Sequence, residues 1–296
     1  MVIGIFGPTA SGKSAVAAAV AERIPAEIVS ADAFQVYEGL SILTNQSPVR
    51  ERLVGIWPLS HRASVGEYAP LAHAAIDEAV GAGLTPVVVG GTGLYFRAAL
   101  AELRLPEAPA VGARERWEQL YDAEGGEVAH QRLSELDPGA AARVHANDRR
   151  RVVRALELAV AGSSLAPEQD RLFAGAWRHP TLVVGLDVAK DELVRRIDAR
   201  TRKMFEQGVE AEVRRALSGE LSETARKTIG LAEVATLSRD DAIASIAART
   251  RQYAAYQRKW LRRLADAVIV AADRSPEEIA YEIVALARAR ERLHRP

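Results

Sequence analysis

The stretch GPTASGKS occupies residues 7–14, between the apolar run VIGIF at 2–6 and the alanine-rich stretch AVAAAVA at 15–21. Its two glycines, lysine and serine follow the spacing G-x-x-x-x-G-K-[ST] of a phosphate-binding loop. The flanking runs predict the strand–loop–helix context that this spacing requires, because loop N–H groups and the start of the helix together attract an anion. The alternative is a chance glycine turn, and the context favours the phosphate site.

Each residue type in this loop has a chemical role. Glycines let backbone N–H groups converge on the anion, and Lys13 adds a full positive charge. The Ser14 hydroxyl suits Mg²⁺, so Mg²⁺ is the predicted cofactor and Ser14 its predicted ligand. The predicted phosphate-binding residues are the whole loop: Gly7, Pro8, Thr9, Ala10, Ser11, Gly12, Lys13 and Ser14.

Five short apolar runs predict a parallel β-sheet. Each run is continuously apolar rather than alternating, which is typical of strands that are buried on both faces. Helical patterns separate the runs, so the sequence predicts an α/β fold with a doubly wound parallel sheet. The runs lie at 2–6, 26–31, 86–91, 181–188 and 267–272.

A long interval without strand pattern interrupts this alternation. It opens with the Pro- and Gly-rich segment LPEAPAVGA at 105–113 and continues with helical patterns only. We therefore predict an inserted all-helical subdomain at 105–180, within a phosphate-loop core of the nucleotide-kinase type formed by 1–104 and 181–296. Inside the insertion, Asp137 followed by a proline is a predicted helix N-cap.

Composition narrows the class of protein. Among the 296 residues, 39 are Lys or Arg and 39 are Asp or Glu, so the net charge gives no general attraction to nucleic acid. The chain has no cysteine, which excludes disulfides, thiolate metal sites and cysteine nucleophiles. No apolar run approaches the ~20 residues of a membrane span, and the N-terminus has no signal-peptide pattern. We therefore expect a cytoplasmic protein without membrane contact.

Two charged residues outside the loop are candidates for its chemistry. Asp32 follows the second predicted strand, and strand ends line the ligand crevice of an open α/β sheet. It is predicted to serve a metal or to act as a general base, with helix capping as the alternative. Arg200 lies in the apolar stripe of its helix and therefore needs an anion. That anion is either the carboxylate of a structural ion pair or, as we favour, a bound phosphate.

Six stretches in fixed order resemble the tRNA dimethylallyltransferases, also called tRNA isopentenyltransferases. A phosphate loop alone occurs in many families, whereas the six stretches together are specific, and the resemblance spans about residues 2–265. The stretches are GPTASGKS (7–14), SADAFQVY (30–37), VVGGTGLYFRAAL (88–100), DPGAAARVHANDRRRVVRALE (137–157), RIDARTRKMFEQGVEAEV (196–213) and TRQYAAYQRKWLR (250–262).

The resemblance implies a prenyl transfer in which nothing is phosphorylated. A dimethylallyl group would move from dimethylallyl diphosphate to N6 of the adenosine 3′ of the tRNA anticodon, and the loop would hold the leaving pyrophosphate. Asp32 would accept the proton from the amine. Thr9 and Thr92 would lie near the diphosphate and the reacting carbon, and Arg114 and Arg200 complete the predicted catalytic residues.

Residues that would contact the tRNA anticodon loop come from four segments. One follows the second strand, where Gln35 either reads an adenine edge or is a solvated loop residue. The others are a basic helix of the insertion, a loop around Gly230, and a helix that interleaves basic and aromatic residues. The predicted tRNA contacts are Asp32, Ala33, Phe34, Gln35, Arg150, Arg151, Arg154, Lys227, Gly230, Arg251 and Arg258.

Departures from the family pattern leave the rate and the acceptor preference open. Ala33 stands where serine is usual, ILTNQSP at 42–48 replaces Gly-Thr-Ala-Lys-Pro, and Leu231 replaces a common tyrosine. The sequence alone therefore predicts the reaction class more firmly than the acceptor.

Three other functions stay open at this point. A small-molecule kinase of the same α/β class would share the loop, Asp32 and the arginines. A non-catalytic relative would bind tRNA without releasing pyrophosphate, and a third class of enzyme would prenylate free adenine nucleotides. The long insertion and its basic clusters favour tRNA over a free nucleotide. We expect the chain to be a monomer.

Overall fold

The chain folds into two compact units. The computed structural model describes residues 1–103, 112–165, 176–264 and 266–293. One unit, which we call the core unit, consists of Met1–Glu102 and Ala176–Pro296. The other, the helical unit, consists of Leu103–Gly175.

The return from the helical unit to the core lies slightly before the residue expected from sequence. We predicted the insertion at 105–180, whereas Trp177 already forms an antiparallel bridge with Ala101. The backbone N–H of Arg178 donates to the carbonyl of Leu100 at 2.9 Å. These backbone contacts attach the segment before the fourth strand to the core unit.

The core unit contains a five-stranded parallel sheet, which confirms the predicted fold class. Its strands are β1 (Val2–Phe6), β2 (Ala26–Ser30), β3 (Thr85–Gly90), β4 (Thr181–Asp187) and β5 (Val268–Ala271). All neighbouring pairs are parallel, and the order across the sheet is β2-β3-β1-β4-β5. Every residue of the central strand β1 is buried, as its continuous apolar pattern predicts.

Helices connect the strands and form the helical unit. In chain order they are α1 (Lys13–Ala21), α2 (Val65–Gly81), α3 (Gly93–Leu100), α4 (Ala113–Glu124), α5 (Gly126–Leu136), α6 (Pro138–Ala141), α7 (Arg149–Val160), α8 (Lys190–Glu206), α9 (Val209–Leu217), α10 (Leu231–Thr236), α11 (Arg239–Leu261) and α12 (Pro276–Leu293). No helix among the described residues is both long enough and apolar enough to cross a membrane.

Each unit has its own hydrophobic core. In the core unit, Ile5 of β1, Val16 of α1 and Ile283 of α12 belong to one buried cluster, and α1 contacts α12 directly. In the helical unit, α4, α5 and α7 contribute Trp117, Leu133, Leu156 and their neighbours to a second cluster. Burial of these apolar faces is the main term that stabilises both units.

The helical unit begins its short third helix as the sequence predicts. The side chain of Asp137 accepts a hydrogen bond from the backbone N–H of Ala140 at 2.9 Å, and Pro138 occupies the first turn of α6. The predicted N-cap is therefore confirmed, because the carboxylate satisfies a helix-start N–H that has no partner within the helix.

Glycines at the end of β3 and at the start of α3 allow close packing at the edge of the sheet. A Cβ at Gly90 would lie 2.2 Å from the carbonyl oxygen of Ala31, and one at Gly93 would lie 2.1 Å from the Trp260 ring. Neither distance is compatible with a side chain. The end of β3 can therefore pack against the segment after β2, and the start of α3 against α11, only because these positions are glycine.

We expect Gly90→Ala to lower the free energy of unfolding by about 1–3 kcal/mol, because the added methyl group collides with backbone rather than with a movable side chain. Chemical denaturation monitored by circular dichroism measures this change. Gly81→Ala is the matched control, since a Cβ there meets nothing within 4 Å. It should leave stability unchanged or raise it by up to about 1 kcal/mol. Equal effects of the two substitutions would contradict the close-packing argument.

Candidate active site

The carboxyl ends of three neighbouring strands meet at one edge of the sheet. The phosphate loop follows β1, Asp32 follows β2, and Thr92 follows β3. Because β2, β3 and β1 are adjacent and parallel, these segments share the edge where open α/β sheets bind ligands. A cavity of ≈ 330 Å³ lies there. The predicted residues that line it are Thr9, Ala10, Gly12, Lys13, Ser14, Asp32, Gln35 and Arg200.

The loop has the backbone conformation of an anion-binding turn. Ala10 and Gly12 have positive φ angles of 64° and 87°, and α1 starts directly after Gly12. Within the loop, the N–H of Ser11 donates to the carbonyl of Pro8 at 3.1 Å. The strand–loop–helix context predicted from sequence is confirmed, and the N-terminus of α1 opens at the cavity.

Lys13 is a desolvated cation at this edge. Burial lowers the pKa of Lys13 to about 8, Asp32 opposes the shift, and the neighbouring Arg200 adds to it. Its Nζ donates to the carbonyl of Pro8 at 3.3 Å. A bound anion would favour the charged ammonium and reverse this shift.

Arg200 is partly buried beside the same carboxylate. Burial lowers the pKa of Arg200 to about 10, while the charge of Asp32 raises it. Its Nε is buried and has no hydrogen-bond partner among the residues that the structure describes. A guanidinium N–H without a partner is costly, and a bound anion would satisfy it. Of the two roles considered from sequence, this geometry favours a phosphate clamp over a structural ion pair.

A network of hydrogen bonds connects Asp32 to the loop after β3. The carboxylate of Asp32 accepts a hydrogen bond from the N–H of Phe34 at 3.0 Å, which fixes the turn after β2. The N–H of Ala33 donates to the Thr92 hydroxyl oxygen at 3.3 Å. That hydroxyl also forms a hydrogen bond with the Tyr253 hydroxyl at 3.1 Å. Asp32, Thr92 and α11 are therefore held together around the cavity.

A second, smaller cavity adjoins the first. Its volume is ≈ 70 Å³, and it shares five lining residues with the larger cavity: Thr9, Asp32, Thr44, Asn45 and Arg200. Most of its other lining side chains are apolar or aromatic: Phe34, Leu43, Met204, Ile229, Ile246 and Tyr253. The site therefore combines a cationic compartment with an apolar one, and the five shared residues lie at their border.

Several lining residues were missed at the level of sequence. Thr44 and Asn45 border both cavities, and Asn45 has a positive φ of 51°. They lie in ILTNQSP, which we had noted only as a departure from a family pattern. A positive φ is more common for asparagine than for most residues, so Asn45 was the one local signal available.

Glu51 is a second carboxylate near the phosphate loop, and its charge raises the pKa of Lys13. Burial raises the pKa of Glu51 to about 7, although a hydrogen bond from Ser47 and the charge of Lys13 oppose this. One of its carboxylate oxygens is buried without a hydrogen-bond partner among the described residues. In the sequence, Glu51 stands between two arginines, a pattern typical of a solvated surface, so nothing local indicated its burial.

Gln35 has a fully engaged side-chain amide in this structure. Its oxygen accepts from the Ser30 hydroxyl at 2.9 Å, and its nitrogen donates to the carbonyls of Thr44 at 3.2 Å and Asn45 at 3.3 Å. These bonds tie the segment after β2 to the segment that borders both cavities. A direct contact between Gln35 and an adenine edge stays a prediction.

The other predicted tRNA contacts of the core unit lie in ion pairs or close packing. Arg251 pairs with Asp198 at 2.6 Å and Arg258 with Asp187 at 3.4 Å, and both arginines are partly exposed. Lys227 pairs with Glu223. A Cβ at Gly230, whose φ is 100°, would lie 2.6 Å from the Leu43 side chain.

In the helical unit, the predicted arginines differ in their surroundings. Arg114 of α4 lies 3.0 Å from Glu118 and 3.9 Å from the buried Glu157, and Arg154 of α7 also pairs with Glu157 at 3.0 Å. Arg150 and Arg151 are exposed at the start of α7. The local contacts of Arg114 and Arg154 compensate a buried carboxylate, and the catalytic role of Arg114 stays a prediction.

Comparison with known proteins identifies the family. The model described as IPP transferase matches residues 35–264, and the model described as isopentenyl transferase matches residues 1–57. The tRNA dimethylallyltransferase of Kineococcus radiotolerans is 38% identical over 88% of this chain and 87% of its own. The protein of the same name from Anaeromyxobacter dehalogenans is 38% identical over 94% of this chain and 97% of its own.

Solved structures agree with this assignment. The tRNA isopentenylpyrophosphate transferase of Bacillus halodurans superimposes with a TM-score of 0.70 at 28% identity, covering 99% of this chain and 98% of its own. A eukaryotic dimethylallyltransferase acting on tRNA gives a TM-score of 0.79 at 24% identity, a likeness of fold, over 100% of this chain and 80% of its own.

We expect pyrophosphate binding to weaken as pH rises through about 8, because Lys13 loses its positive charge there. Above about 7, ionised Glu51 adds negative charge and acts in the same direction. Isothermal titration calorimetry of pyrophosphate binding, from about pH 6.5 to about pH 9.5, measures the effect.

Lys13→Met is the control for this titration, because its pH dependence reports only the remaining groups and pyrophosphate itself. The ratio of the pyrophosphate affinity of wild type to that of Lys13→Met should fall by about tenfold per pH unit above the Lys13 pKa. Glu51→Gln should remove the inflection near pH 7 that ionisation of Glu51 produces in the pH dependence of pyrophosphate affinity. A constant advantage over the whole range would show that Lys13 does not titrate in it.

Proposed function

This chain belongs to the IPP transferase family, and from that premise we propose that it transfers a dimethylallyl group from dimethylallyl diphosphate to N6 of the adenosine 3′ of the tRNA anticodon. Pyrophosphate is the second product. The observation that carries the proposal is the contiguity of a cationic cavity and an apolar pocket, with Asp32, Thr9 and Arg200 at their border.

The larger cavity suits a diphosphate. Lys13 and Arg200 supply positive charge, and the Arg200 Nε, which has no hydrogen-bond partner within the described part of the chain, can donate to an anion. Loop N–H groups and the start of α1 add positive potential. Preorganised charge of this kind stabilises a leaving group most when water is excluded, so the site lowers the barrier for ionisation of an allylic diphosphate.

Mg²⁺ fits the donors of this cavity. The ion keeps several waters and binds proteins through few ligands together with substrate phosphates. The Ser14 hydroxyl lines the cavity and is the side chain that would hold it, while the Asp32 carboxylate is left to act as the base. When bound, Mg²⁺ neutralises charge on the diphosphate.

The smaller pocket suits the five-carbon prenyl group. Leu43, Met204 and Ile246 present apolar surface next to the diphosphate cavity. Burial of the prenyl carbons against these side chains is favourable and holds the reacting carbon at the border of the two compartments. The kinase alternative explains the loop, but it explains neither this pocket nor the family membership.

The reaction balances with the groups at the border. The bond between the first prenyl carbon and the diphosphate oxygen breaks, and the electron pair leaves with pyrophosphate. The lone pair of adenine N6 forms the new carbon–nitrogen bond. Asp32 then accepts the proton that N6 loses, which is the role of a general base. The purine must leave its stack to reach this site, as in other enzymes that modify a base.

Support for tRNA as the acceptor comes from relatives and from the helical unit. The relatives compared above carry the name tRNA dimethylallyltransferase. Arg150 and Arg151 are exposed side by side at the start of α7, a suitable arrangement for backbone phosphates. The expectation of a monomer stays a prediction.

Asp32→Asn tests the proposed base. With dimethylallyl diphosphate and unmodified tRNA, wild type should add one prenyl unit to the anticodon loop, measured by mass spectrometry of nuclease fragments. The substitution should lower kcat by about 10²–10⁴-fold, because the amide cannot accept the proton. Affinity for tRNA, measured by filter binding, should be retained.

Asp240→Asn, at an exposed position of α11, is the matched control and should keep wild-type kcat. Prenylation at a normal rate by Asp32→Asn would exclude the general-base role. If wild type instead consumes ATP to phosphorylate a small acceptor, the kinase alternative replaces the proposal.

Arg150→Gln and Arg151→Gln test the tRNA surface of the helical unit. Each should weaken tRNA binding and reduce the slope of log affinity against log salt by about one, because each removes one phosphate contact. At saturating tRNA, kcat should be unchanged. Arg132→Gln is the control, since Arg132 is exposed on α5 of the same unit and pairs with Glu135. Equal salt slopes for all variants would place the tRNA surface elsewhere.

A further inference from the structure

Gln257 of α11 connects two loops of the site without touching either cavity. Its side chain is 1% exposed. The side-chain oxygen accepts from the N–H of Thr9 in the phosphate loop at 2.7 Å. The side-chain nitrogen donates to the carbonyl of Gly91, which follows β3, at 2.9 Å. Both ends of one buried amide are thus bonded to backbone groups of different loops.

The chemistry of this arrangement requires an amide. Thr9 N–H needs an acceptor and Gly91 C=O needs a donor, and a glutamine side chain supplies one of each. A carboxylate supplies two acceptors, and an apolar side chain supplies neither. Each replacement leaves at least one buried backbone group without its bond.

The packing around Gln257 is equally restrictive. A Cβ at Gly91 would lie 2.2 Å from the Gln257 nitrogen and 2.9 Å from the Gly7 carbonyl oxygen. One turn earlier on α11, the Tyr253 hydroxyl bonds to Thr92. The same face of α11 therefore holds the phosphate loop and the Gly91–Thr92 segment at a set separation.

We propose that Gln257 is a positioning residue for prenyl transfer. It sets the separation of Thr9 from Thr92 and so aligns the diphosphate with Asp32, the proposed general base. The inference rests on the proposed function. Thr9 borders both cavities, where the carbon–oxygen bond breaks. The Thr92 hydroxyl oxygen accepts a hydrogen bond from the N–H of Ala33, the residue after Asp32. A shift of the phosphate loop by a fraction of an ångström moves the pyrophosphate leaving group relative to Asp32. Such shifts reduce reaction rates strongly.

Gln257→Met is the first test, because methionine has a similar length and forms neither bond. We expect kcat to fall by about 10–100-fold, with tRNA affinity unchanged. Gln252→Met is the control, since Gln252 is exposed on the same helix, and it should keep wild-type kcat. The amount of folded enzyme is determined for each variant by circular dichroism, so that kcat is referred to folded protein.

Gln257→Glu distinguishes positioning from mere packing. The ionised carboxyl repels the Gly91 carbonyl, whereas the protonated carboxyl donates to Gly91 and accepts from Thr9 as the amide does. The kcat of this variant relative to wild type should therefore rise as pH falls. A role in packing alone gives no such pH profile.

The outcomes separate the two proposals. An active wild type with normal kcat in Gln257→Met, or a ratio for Gln257→Glu that is constant with pH, overturns the positioning role and leaves the prenyl transfer intact. A wild type that cannot prenylate tRNA overturns both. Reduced kcat in Gln257→Met together with the rising profile supports the assignment.

Discussion

Desolvation of two cations beside one carboxylate is the constraint on which the site depends. Lys13 and Arg200 are partly buried, and desolvation lowers the pKa of both. The charge of Asp32 raises both pKa values, and that of Glu51 also raises the pKa of Lys13. The buried Arg200 Nε has no hydrogen-bond partner among the described residues, so the two cations are not fully compensated. This arrangement attracts an anion, and we propose that the anion bound there is a diphosphate.

The parallel sheet makes this constraint possible. Adjacent strands β2, β3 and β1 end at the same edge, so that Asp32, Thr92 and the phosphate loop converge although they are distant in sequence. Gly90 and Gly93 permit the close approach of these segments to Ala31 and Trp260. Thr9, Asp32 and Thr92 lie on short loops at this edge, whereas Arg200 lies on α8, and the packed sheet and helices behind them limit their movement.

The two units divide the chemistry between them. The core unit contains both cavities and the residues assigned to bond breaking. The helical unit has an independent hydrophobic core, a buried Glu157 compensated by Arg114 and Arg154, and exposed arginines at the start of α7. The arginines that compensate Glu157 are therefore different from the exposed pair that we propose to contact tRNA.

Local patterns in the sequence determined the strands, the phosphate loop, the Asp137 cap and the place of Asp32 at a strand end, because each depends on residues that are close along the chain. Only the tertiary structure decided the burial of Glu51, the engagement of the Gln35 amide and the role of Gln257. Thr9 and Gln257 are 248 positions apart, and no periodicity or spacing relates them. Their contact exists because α11 packs against the sheet edge, and packing of distant elements is a property of the whole fold rather than of any segment.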